Sequence, residues 1–510
     1  MKKLIKWGLG VVAISLLGAC STGDLKKETS SNGEIKVVTT FYPMYDFTKN
    51  IVGDEGDVSL MIPAGTEAHD YEPSAKELKK LQDADVFVYN NENMEVWVPS
   101  VANVLTEGGV TVIKATDNMV LLPGTEEEHD HAEEDHSHEG HSHELDPHVW
   151  LAPSLAIKEV SEIRDQLIAA YPEKEVIFTK NAAAYLTKLT NLDQLFKDTL
   201  SGASQKSFVT QHAAFGYLAL EYGLKQVPIA GLSPSEEPSA ARLAELKDYV
   251  EDNDVTYIYF EENATDTIAR TLAEEAKVEL LVLNPLEGLT EEQMAAGADY
   301  VSIMKENLAS LSKTINSGTS SKLDSAEETE KTVYNGYFTD GQVKNRELAD
   351  WAGQWQSVFP YVLDNTLDPV FEYKAKLNKD MTAEDYKEYY KTGYDTKIDQ
   401  LKITGSSMTF IDDHGKSISS EYKYVGYKIL EYEKGNRGVR YCFEAVDPSS
   451  GAYRTVQFSD HTIEPSKSAH FHLYFGNQSQ EELLQELTNW PTYYPSELSG
   501  FEVAQEMMAH

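Results

Sequence analysis

The chain has 510 residues and carries 84 acidic against 44 basic side chains, which gives a formal net charge of −40. That length predicts roughly three domain-sized units, and a content of 41% hydrophobic and 10% aromatic residues excludes a wholly disordered chain. We expect no nucleic-acid partner, because binding to a phosphate backbone depends on lysine and arginine. The charge permits a cationic ligand, although the solubility of an exported protein would explain it equally well.

The first residues of the chain predict an export signal. Three lysines precede an apolar stretch, 7–17, that is shorter than the roughly 20 residues needed to span a bilayer. Segment 17–20, Leu-Gly-Ala-Cys, resembles the bacterial lipobox, which implies removal of the signal peptide 1–19 and a lipid anchor on Cys20. Ordinary secretion with an unmodified Cys20 is the alternative. The polar residues 20–33 then predict a flexible tether.

Only one other cysteine, Cys442, occurs in the chain. A single remaining thiol excludes an internal disulfide framework. Because Cys442 alternates with apolar residues, we expect a buried structural thiol rather than a reactive one.

Short apolar runs alternate with helical patterns between residues 34 and 315. The predicted strands are 35–41, 58–62, 86–90, 110–113, 208–211, 226–230, 255–260 and 280–283, with helices at 74–82, 239–251 and 265–276. This alternation predicts parallel sheets covered by helices. An amphipathic pattern over 173–199 separates the two sets of four strands. We therefore predict two α/β lobes joined by a long helix, with a cleft between them.

Three histidines mark the predicted cleft. His69 follows a strand and precedes a helix, His212 lies at a strand end, and His148 lies in the segment Asp-Pro-His-Val-Trp. Ligands of open α/β sheets bind beyond the carboxyl ends of the strands, and imidazole is a ligand that suits zinc. A single loop histidine is more often a surface residue, so spacing alone leaves the metal site open.

The residues around these histidines resemble a known family. GTEAHDYEPS around His69, DPHVWLAP around His148 and QHAAFGYLALEYGL around His212 are similar to the histidine segments of ZnuA-like metal-binding lipoproteins of bacterial ABC importers. The resemblance covers about 34–315. It implies that the three histidines bind Zn(II) and that the chain delivers the ion to a membrane ABC permease. Manganese relatives carry a carboxylate in place of the third histidine, so His212 favours zinc.

The fourth ligand implied by the resemblance is a carboxylate. Some zinc relatives have a glutamate directly before the first histidine, but this chain has Ala68 there. Glu287 follows the last predicted strand, where the family's fourth ligand often arises, so we expect Glu287 to bind the ion. Water in the fourth position is the alternative.

A segment rich in histidine and acid, 126–144, lies between the first two candidate ligands. It contains nine acidic residues and almost nothing to bury, so we expect a disordered loop. Its six histidines predict weak, auxiliary zinc capture, with a merely solvating insertion as the alternative. They are His129, His131, His136, His138, His141 and His143.

The composition changes after a polar linker at 316–329. Residues 330–510 are rich in tyrosine and tryptophan, with alternating runs at 402–411, 422–433, 438–447 and 453–459 that predict antiparallel strands. His470 and His472 share one face of a strand if both lie in it, and a turn at 465–467 can bring His461 beside them. The three histidines predict a second metal site.

This second region resembles the ZinT family of zinc-binding proteins. The similar segments are DWAGQWQS at 350–357 and FHLYFG at 471–476, and they imply a lipocalin-like barrel that binds one Zn(II). Three histidines also leave the open position that zinc hydrolases use, so hydrolysis is an alternative, although no HExxH accompanies them.

Both regions together resemble streptococcal zinc-binding lipoproteins. This implies a non-enzymatic monomer with one Zn(II) per domain, anchored on the extracellular face of a Gram-positive cell membrane. A surface adhesin is a further alternative.

Overall fold

A computed structural model describes residues 34–124, 145–235, 238–262, 266–315, 331–432 and 435–508. The predicted signal peptide and tether, the histidine-rich segment 126–144 and the linker 316–329 lie outside the described residues. In the described part of the chain, no helix has both the length and the apolar character needed to cross a membrane.

The first lobe is a four-stranded parallel sheet with strand order β2-β1-β3-β4. Helix α2 begins at a capping box in which Ser74 and Glu77 bond each other's backbone N–H groups. The elements are β1 Ile35–Thr39, α1 Tyr42–Val52, β2 Gly56–Leu60, α2 Ala75–Gln82, β3 Val86–Tyr89, α3 Ala102–Glu107 and β4 Thr111–Lys114. All four predicted strands of this lobe are present.

Two long helices, α4 (Pro153–Ala170) and α5 (Glu175–Leu200), follow the first lobe. Helix α4 begins with proline, which is favourable at a position where no N–H is needed. Helix α5 has 26 residues, a length of roughly 39 Å, and it packs against α1 and α4. It is the long helix predicted between the lobes.

The second lobe repeats the parallel arrangement, with strand order β6-β5-β7-β8. The final helix, α10, returns to pack against α5. The elements are β5 Ser207–Thr210, α6 Gly216–Tyr222, β6 Lys225–Pro228, α7 Ala240–Asp252, β7 Tyr257–Phe260, α8 Thr267–Ala276, β8 Glu279–Val282, α9 Glu291–Ala295 and α10 Tyr300–Ile315. The predicted two-lobed α/β architecture is confirmed.

The C-terminal module is a closed antiparallel barrel of eight strands, in which β9 pairs with both β10 and β16. This confirms the lipocalin-like expectation. The elements are β9 Gly353–Ser357, α11 Phe359–Leu363, α12 Asp368–Leu377, α13 Ala383–Tyr394, β10 Ile398–Ile403, β11 Ser407–Asp412, β12 Ser417–Glu431, β13 Arg437–Ala445, β14 Thr455–Ser459, β15 Phe471–Gly476, α14 Gln480–Leu483, β16 Thr492–Pro495 and α15 Gly500–Met508.

The barrel differs from the sequence prediction in two places. Run 402–411 was predicted as one strand, but a turn in which Thr404 N–H donates to the Ser407 carbonyl divides it into β10 and β11. The buried positions change from odd to even across this turn, from Ile403 to Met408, because each strand turns its own alternate residues inward. The three helices α11–α13 between β9 and β10 were not predicted.

Candidate metal centre

Each of the four candidate ligands of the first module follows a strand or precedes a helix. His69 lies between β2 and α2, His212 lies two residues after β5, and Glu287 follows β8. His148 lies immediately before the short helical turn that leads into α4. The carboxyl ends of the strands of both lobes thus face a shared cleft, as open α/β sheets predict.

The ligand atoms of these residues converge on one point. All four atoms lie within 4.8 Å of one another. His148 Nε2 lies 3.1 Å from His69 Nε2 and 3.4 Å from His212 Nε2. Glu287 Oε1 lies 3.5, 3.4 and 3.3 Å from the Nε2 atoms of His69, His148 and His212, respectively.

These separations are those of a tetrahedral zinc site. A tetrahedral Zn(II) ion with bonds of about 2.0–2.1 Å holds its ligand atoms about 3.3–3.4 Å apart. The five separations given above span 3.1–3.5 Å. Calcium needs six to eight oxygen ligands and magnesium an octahedral shell, which three nitrogens and one oxygen do not supply. The donor set therefore fits Zn(II).

Glu287 gives an independent indication of a cation. Its Oε1 atom is buried, yet no described residue offers it a hydrogen bond of good geometry. A buried polar atom without such a partner is costly. A metal ion at the point shared with the three imidazoles would satisfy this oxygen.

Carboxylates behind the ligands orient two of the rings. Asp146 Oδ1 accepts hydrogen bonds from the Nδ1 atom of His148 at 2.8 Å and from its backbone N–H at 2.9 Å. Glu261 Oε1 lies 2.5 Å from His212 Nδ1. A protonated Nδ1 leaves the Nε2 lone pair for a metal and makes the imidazole a stronger ligand.

The same carboxylates govern protonation of the metal-free site. Burial opposes charge on His212, but Glu261 and Glu287 outweigh burial and raise the pKa of His212 well above its ordinary value. Burial likewise opposes charge on His148, but its hydrogen bond to Asp146 and the nearby Glu287 carboxylate raise the pKa of His148. Burial lowers the pKa of His69. Protons therefore compete with metal mainly at His148 and His212.

The loop that carries Glu287 is held in a strained shape. Leu286 is left-handed, with φ of 60°, a conformation that side chains other than glycine rarely adopt. Asn284 Oδ1 accepts the Leu286 N–H at 2.7 Å, and Asn307 bonds both the N–H and the carbonyl of Asn284. Trp150 Nε1 donates to the Pro285 carbonyl at 2.8 Å. These bonds fix where Glu287 points.

Three residues that support the site were missed by the sequence prediction: Asp146, Glu261 and Glu67. Asp146 lies two residues before His148, so the local sequence already indicated a hydrogen-bond partner for that ring. Glu67 lies two residues before His69 and accepts its backbone N–H at 3.0 Å. Burial raises the pKa of Glu67 to about 8, with a contribution from Glu287. Glu261 directly follows β7, far from His212 in the sequence, so only the fold shows its role.

The three histidines of the barrel module approach one another less tightly. The ring centroids of His461 and His470 are 5.3 Å apart, and those of His470 and His472 are 6.4 Å apart. In the described part of the chain, no second group of three such side chains meets the 4.8 Å separation of the first centre. His472 lies in β15, whereas His470 immediately precedes it, so the structure does not place both histidines within one strand.

A buried arginine anchors the loop that carries His461. Arg346 Nη1 donates to both carboxylate oxygens of Asp460, at 2.7 and 2.9 Å, and its guanidinium lies 4.0 Å from the Trp351 ring centroid. Trp351 Nε1 also donates to Asp460. The residue before His461 is thus fixed by a buried, charge-assisted ion pair.

Cys442 is buried in β13, and burial raises the pKa of its thiol to about 11. This environment is that of a structural thiol. Cys20 and the six histidines of 126–144 lie outside the described residues.

The fold and the centre define a two-lobed, metal-binding solute-binding protein with an appended barrel. Two family models match the chain: "Zinc-uptake complex component A periplasmic" (ZnuA) over 37–314 and "ZinT (YodA) periplasmic lipocalin-like zinc-recruitment" over 329–510. The chain therefore belongs to the ZnuA family, in the form that carries a ZinT-like module.

Individual relatives agree with this assignment. The chain is 55% identical over its full length to the full-length zinc-binding lipoprotein AdcA of Streptococcus pneumoniae. It is 50% identical to the high-affinity zinc uptake system protein ZnuA of Bacillus subtilis, over 60% of this chain and 97% of that protein. A crystal structure of Zn(II)-bound AdcA from S. pneumoniae matches 94% of this chain and 100% of that one, with a TM-score of 0.84 and 55% identity.

Proposed function

We propose that this chain captures Zn(II) between the lobes of its first module and delivers it to a membrane ABC permease. The observation that carries the proposal is the set of separations among His69, His148, His212 and Glu287, which fits tetrahedral zinc. The zinc-binding and zinc-uptake names of relatives at 50–55% identity support it.

The site suits binding and release rather than catalysis. Four protein ligands close a tetrahedral shell, whereas a catalytic zinc keeps one position for water or substrate. We therefore assign the first module no enzymatic activity, and zinc is its cargo.

His461, His470 and His472 form the second zinc site in this proposal. His461 Nδ1 lies 3.4 Å from the Tyr334 carbonyl, and His472 Nδ1 lies 2.7 Å from Thr492 Oγ1. Both contacts favour Nε2 as the ligand atom. One Zn(II) per module, with the barrel aiding acquisition, is the resulting stoichiometry.

The remaining parts of the chain complete the proposal. After cleavage, lipidated Cys20 anchors a monomer to the outer face of the cell membrane, and 20–33 is its tether. The modules are 34–315 and 330–510, joined by 316–329. The histidines of 126–144 gather zinc for the first site.

Metal analysis of the purified full-length chain tests the two sites. We expect the parental chain to hold two zinc ions tightly. The variants His148→Ala and His470→Ala should each hold one. Retention of both ions by His148→Ala would contradict the first site. Zinc-limited growth of a bacterium lacking its own zinc-binding protein tests delivery: the chain should restore growth only when the matching permease is present.

Deletion of 126–144 tests the role of the histidine-rich segment. We expect slower zinc acquisition under severe limitation, with no change in the affinity of the first site. A matched control replaces only the six histidines by serine and keeps the acids. If both variants acquire zinc at the parental rate, the segment has no capture role.

A further inference from the structure

One glutamine of the last helix of the barrel module, Gln505, makes two hydrogen bonds to the first module. The N–H of Leu121 donates to Gln505 Oε1 at 2.8 Å, and Gln505 Nε2 donates to the Leu121 carbonyl at 2.8 Å. One side-chain amide thus satisfies both backbone groups of a residue 384 positions away. The contact fixes Leu121 in two directions at once.

Leu121 belongs to a stem formed by residues 121–123 and 145–146, which flank the histidine-rich segment in the sequence. Leu122, its neighbour, donates its N–H to the Tyr217 hydroxyl at 2.8 Å and accepts the N–H of Asp146 at 2.8 Å. Pro123 and Leu145 form a β-bridge. The two sides of the stem are therefore bonded to each other and to helix α6.

The same bonds continue to a ligand of the first centre. Tyr217 donates its hydroxyl proton to the Asp146 carbonyl at 2.8 Å, and the Asp146 carboxylate holds the ring of His148. The Asp146 carboxylate lies close to Gly216 of α6, where an added Cβ would stand 2.9 Å from Asp146 Oδ2. Leu121 also belongs to a buried apolar cluster with Tyr217 and Val149, the residue next to His148.

Other contacts hold the two modules together at this place. Lys376 of the barrel module pairs with Glu221 of α6, and Ser154 at the start of α4 donates to the same carboxylate. Val120 and Leu122 pack against a buried cluster of the barrel module that includes residues of α12 and α15. Gln505 therefore lies within a packed interface.

We propose that Gln505 is a positioning residue for the first metal centre, acting through Leu121, Tyr217 and Asp146 on the ring of His148. The barrel module then sets how long the first site retains its ion, in addition to carrying a site of its own. The inference rests on the proposed zinc-binding role of His148.

The test uses the full chain with His470→Ala and His472→Ala, so that only the first site binds tightly. Zinc release into excess chelator is followed by stopped flow for this parent and for Gln505→Ala. Loss of a direct outer-shell partner typically costs 10–100-fold in affinity. Gln505 is more distant from His148 than such a direct partner. We therefore expect Gln505→Ala to release zinc about 3–10-fold faster than the parent. Gln400→Ala, at an exposed glutamine of β10, is the matched control and should release at the parental rate.

A double-mutant cycle with Tyr217→Phe tests the route. If both residues act through Asp146, the double variant should release zinc no faster than the stronger single variant, whereas independent effects multiply. The visible absorption spectrum of bound Co(II) reports ligand geometry and should shift in Gln505→Ala but not in Gln400→Ala.

Three outcomes would each overturn either the first zinc site or the positioning role of Gln505. If the parent binds no zinc, the proposed first site is wrong. If the parent binds zinc but Gln505→Ala has parental release and an unchanged Co(II) spectrum, the positioning role is wrong. A lower melting temperature with parental release and spectrum would assign Gln505 a purely structural role and equally overturn the inference.

Discussion

Glu287 is the residue on which the charge of the first centre depends. It is the only anionic member of the ligand group, and burial would favour its protonated form. The three histidines instead hold the pKa of Glu287 well below its ordinary value. A carboxylate kept ionised inside the protein is a strong ligand for a divalent ion, so Glu287 contributes both an oxygen and a negative charge.

Glu287→Gln preserves the shape of this ligand and removes its charge. We expect zinc affinity to fall by at least the ~10–100-fold that loss of an outer-shell partner causes, as measured by competition with a chelator. The matched control is Glu291→Gln, at an exposed position of α9. Parental affinity in Glu287→Gln would leave water as the fourth ligand.

The pH dependence of zinc binding follows from the raised pKa values of two histidines, His148 and His212. Because the pKa values of His148 and His212 lie above the ordinary value near 6.5 in the metal-free site, protons occupy these ligands already above pH 6.5. Apparent affinity should therefore fall as pH decreases, beginning above pH 6.5 and continuing below it. Titrations with a competing chelator from about pH 8.5 to 5 measure this, and undiminished affinity at pH 5 would contradict ligation by three histidines.

At the scale of elements, helix α10 supports the loop after β8. Asn307 of α10 bonds both backbone groups of Asn284, and Asn284 stabilises the left-handed Leu286. The loop thus keeps a strained conformation because a neighbouring helix supplies buried hydrogen bonds. The position of Glu287 depends on this support.

The variant Asn307→Ala tests whether the position of Glu287 depends on the hydrogen bonds from α10. It leaves the N–H and the carbonyl of Asn284 without their partner, which costs ~1–3 kcal/mol of unfolding free energy for a buried group, and it should weaken zinc binding. Urea denaturation and chelator competition measure the two effects. Asn103→Ala, at an exposed position of the other-lobe helix α3, should change neither. If Asn307→Ala lost stability but kept parental affinity, Glu287 would not need the support of α10.

At the scale of the whole molecule, the two proposed sites belong to modules with separate hydrophobic cores. One buried cluster spans both lobes of the first module, and another fills the barrel. Ligand binding acts most directly on the stability of the module that contains the site. Zinc should therefore act on the unfolding of each module through that module's own site.

Calorimetry can separate these contributions. At free zinc 100 times the dissociation constant, each site should add about 2.7 kcal/mol to the unfolding free energy of its module. His470→Ala should remove the shift of the barrel transition and retain that of the first module, whereas His148→Ala should do the reverse. Loss of both shifts in either variant would contradict separate sites.

Local patterns in the sequence predicted the two lobes and most of their strands. Spacing alone left the metal site open, and the candidate ligands came from the resemblance of the segments around His69, His148 and His212 to ZnuA-like proteins and from the place of Glu287 after the last strand of the second lobe. The structure brings these four side chains together. Contacts between distant segments could not be predicted. Glu261 reaches His212 only because β5 and β7 pair, and Gln505 reaches Leu121 across the module interface. Helices α11–α13 were missed because the alternation of the flanking strands drew the prediction toward an all-β module.

The carboxylates around the first centre have a consequence for recognition by a partner. Without metal, the negative charges of Asp146, Glu261 and Glu287 favour protons on His148 and His212. Zinc(II) carries two positive charges and releases protons from these histidines when it binds. The net charges of the loaded and unloaded molecules therefore differ by less than the charge of the ion, which weakens long-range electrostatic discrimination between them. We expect a permease to distinguish them by the shape of the loops over the cleft.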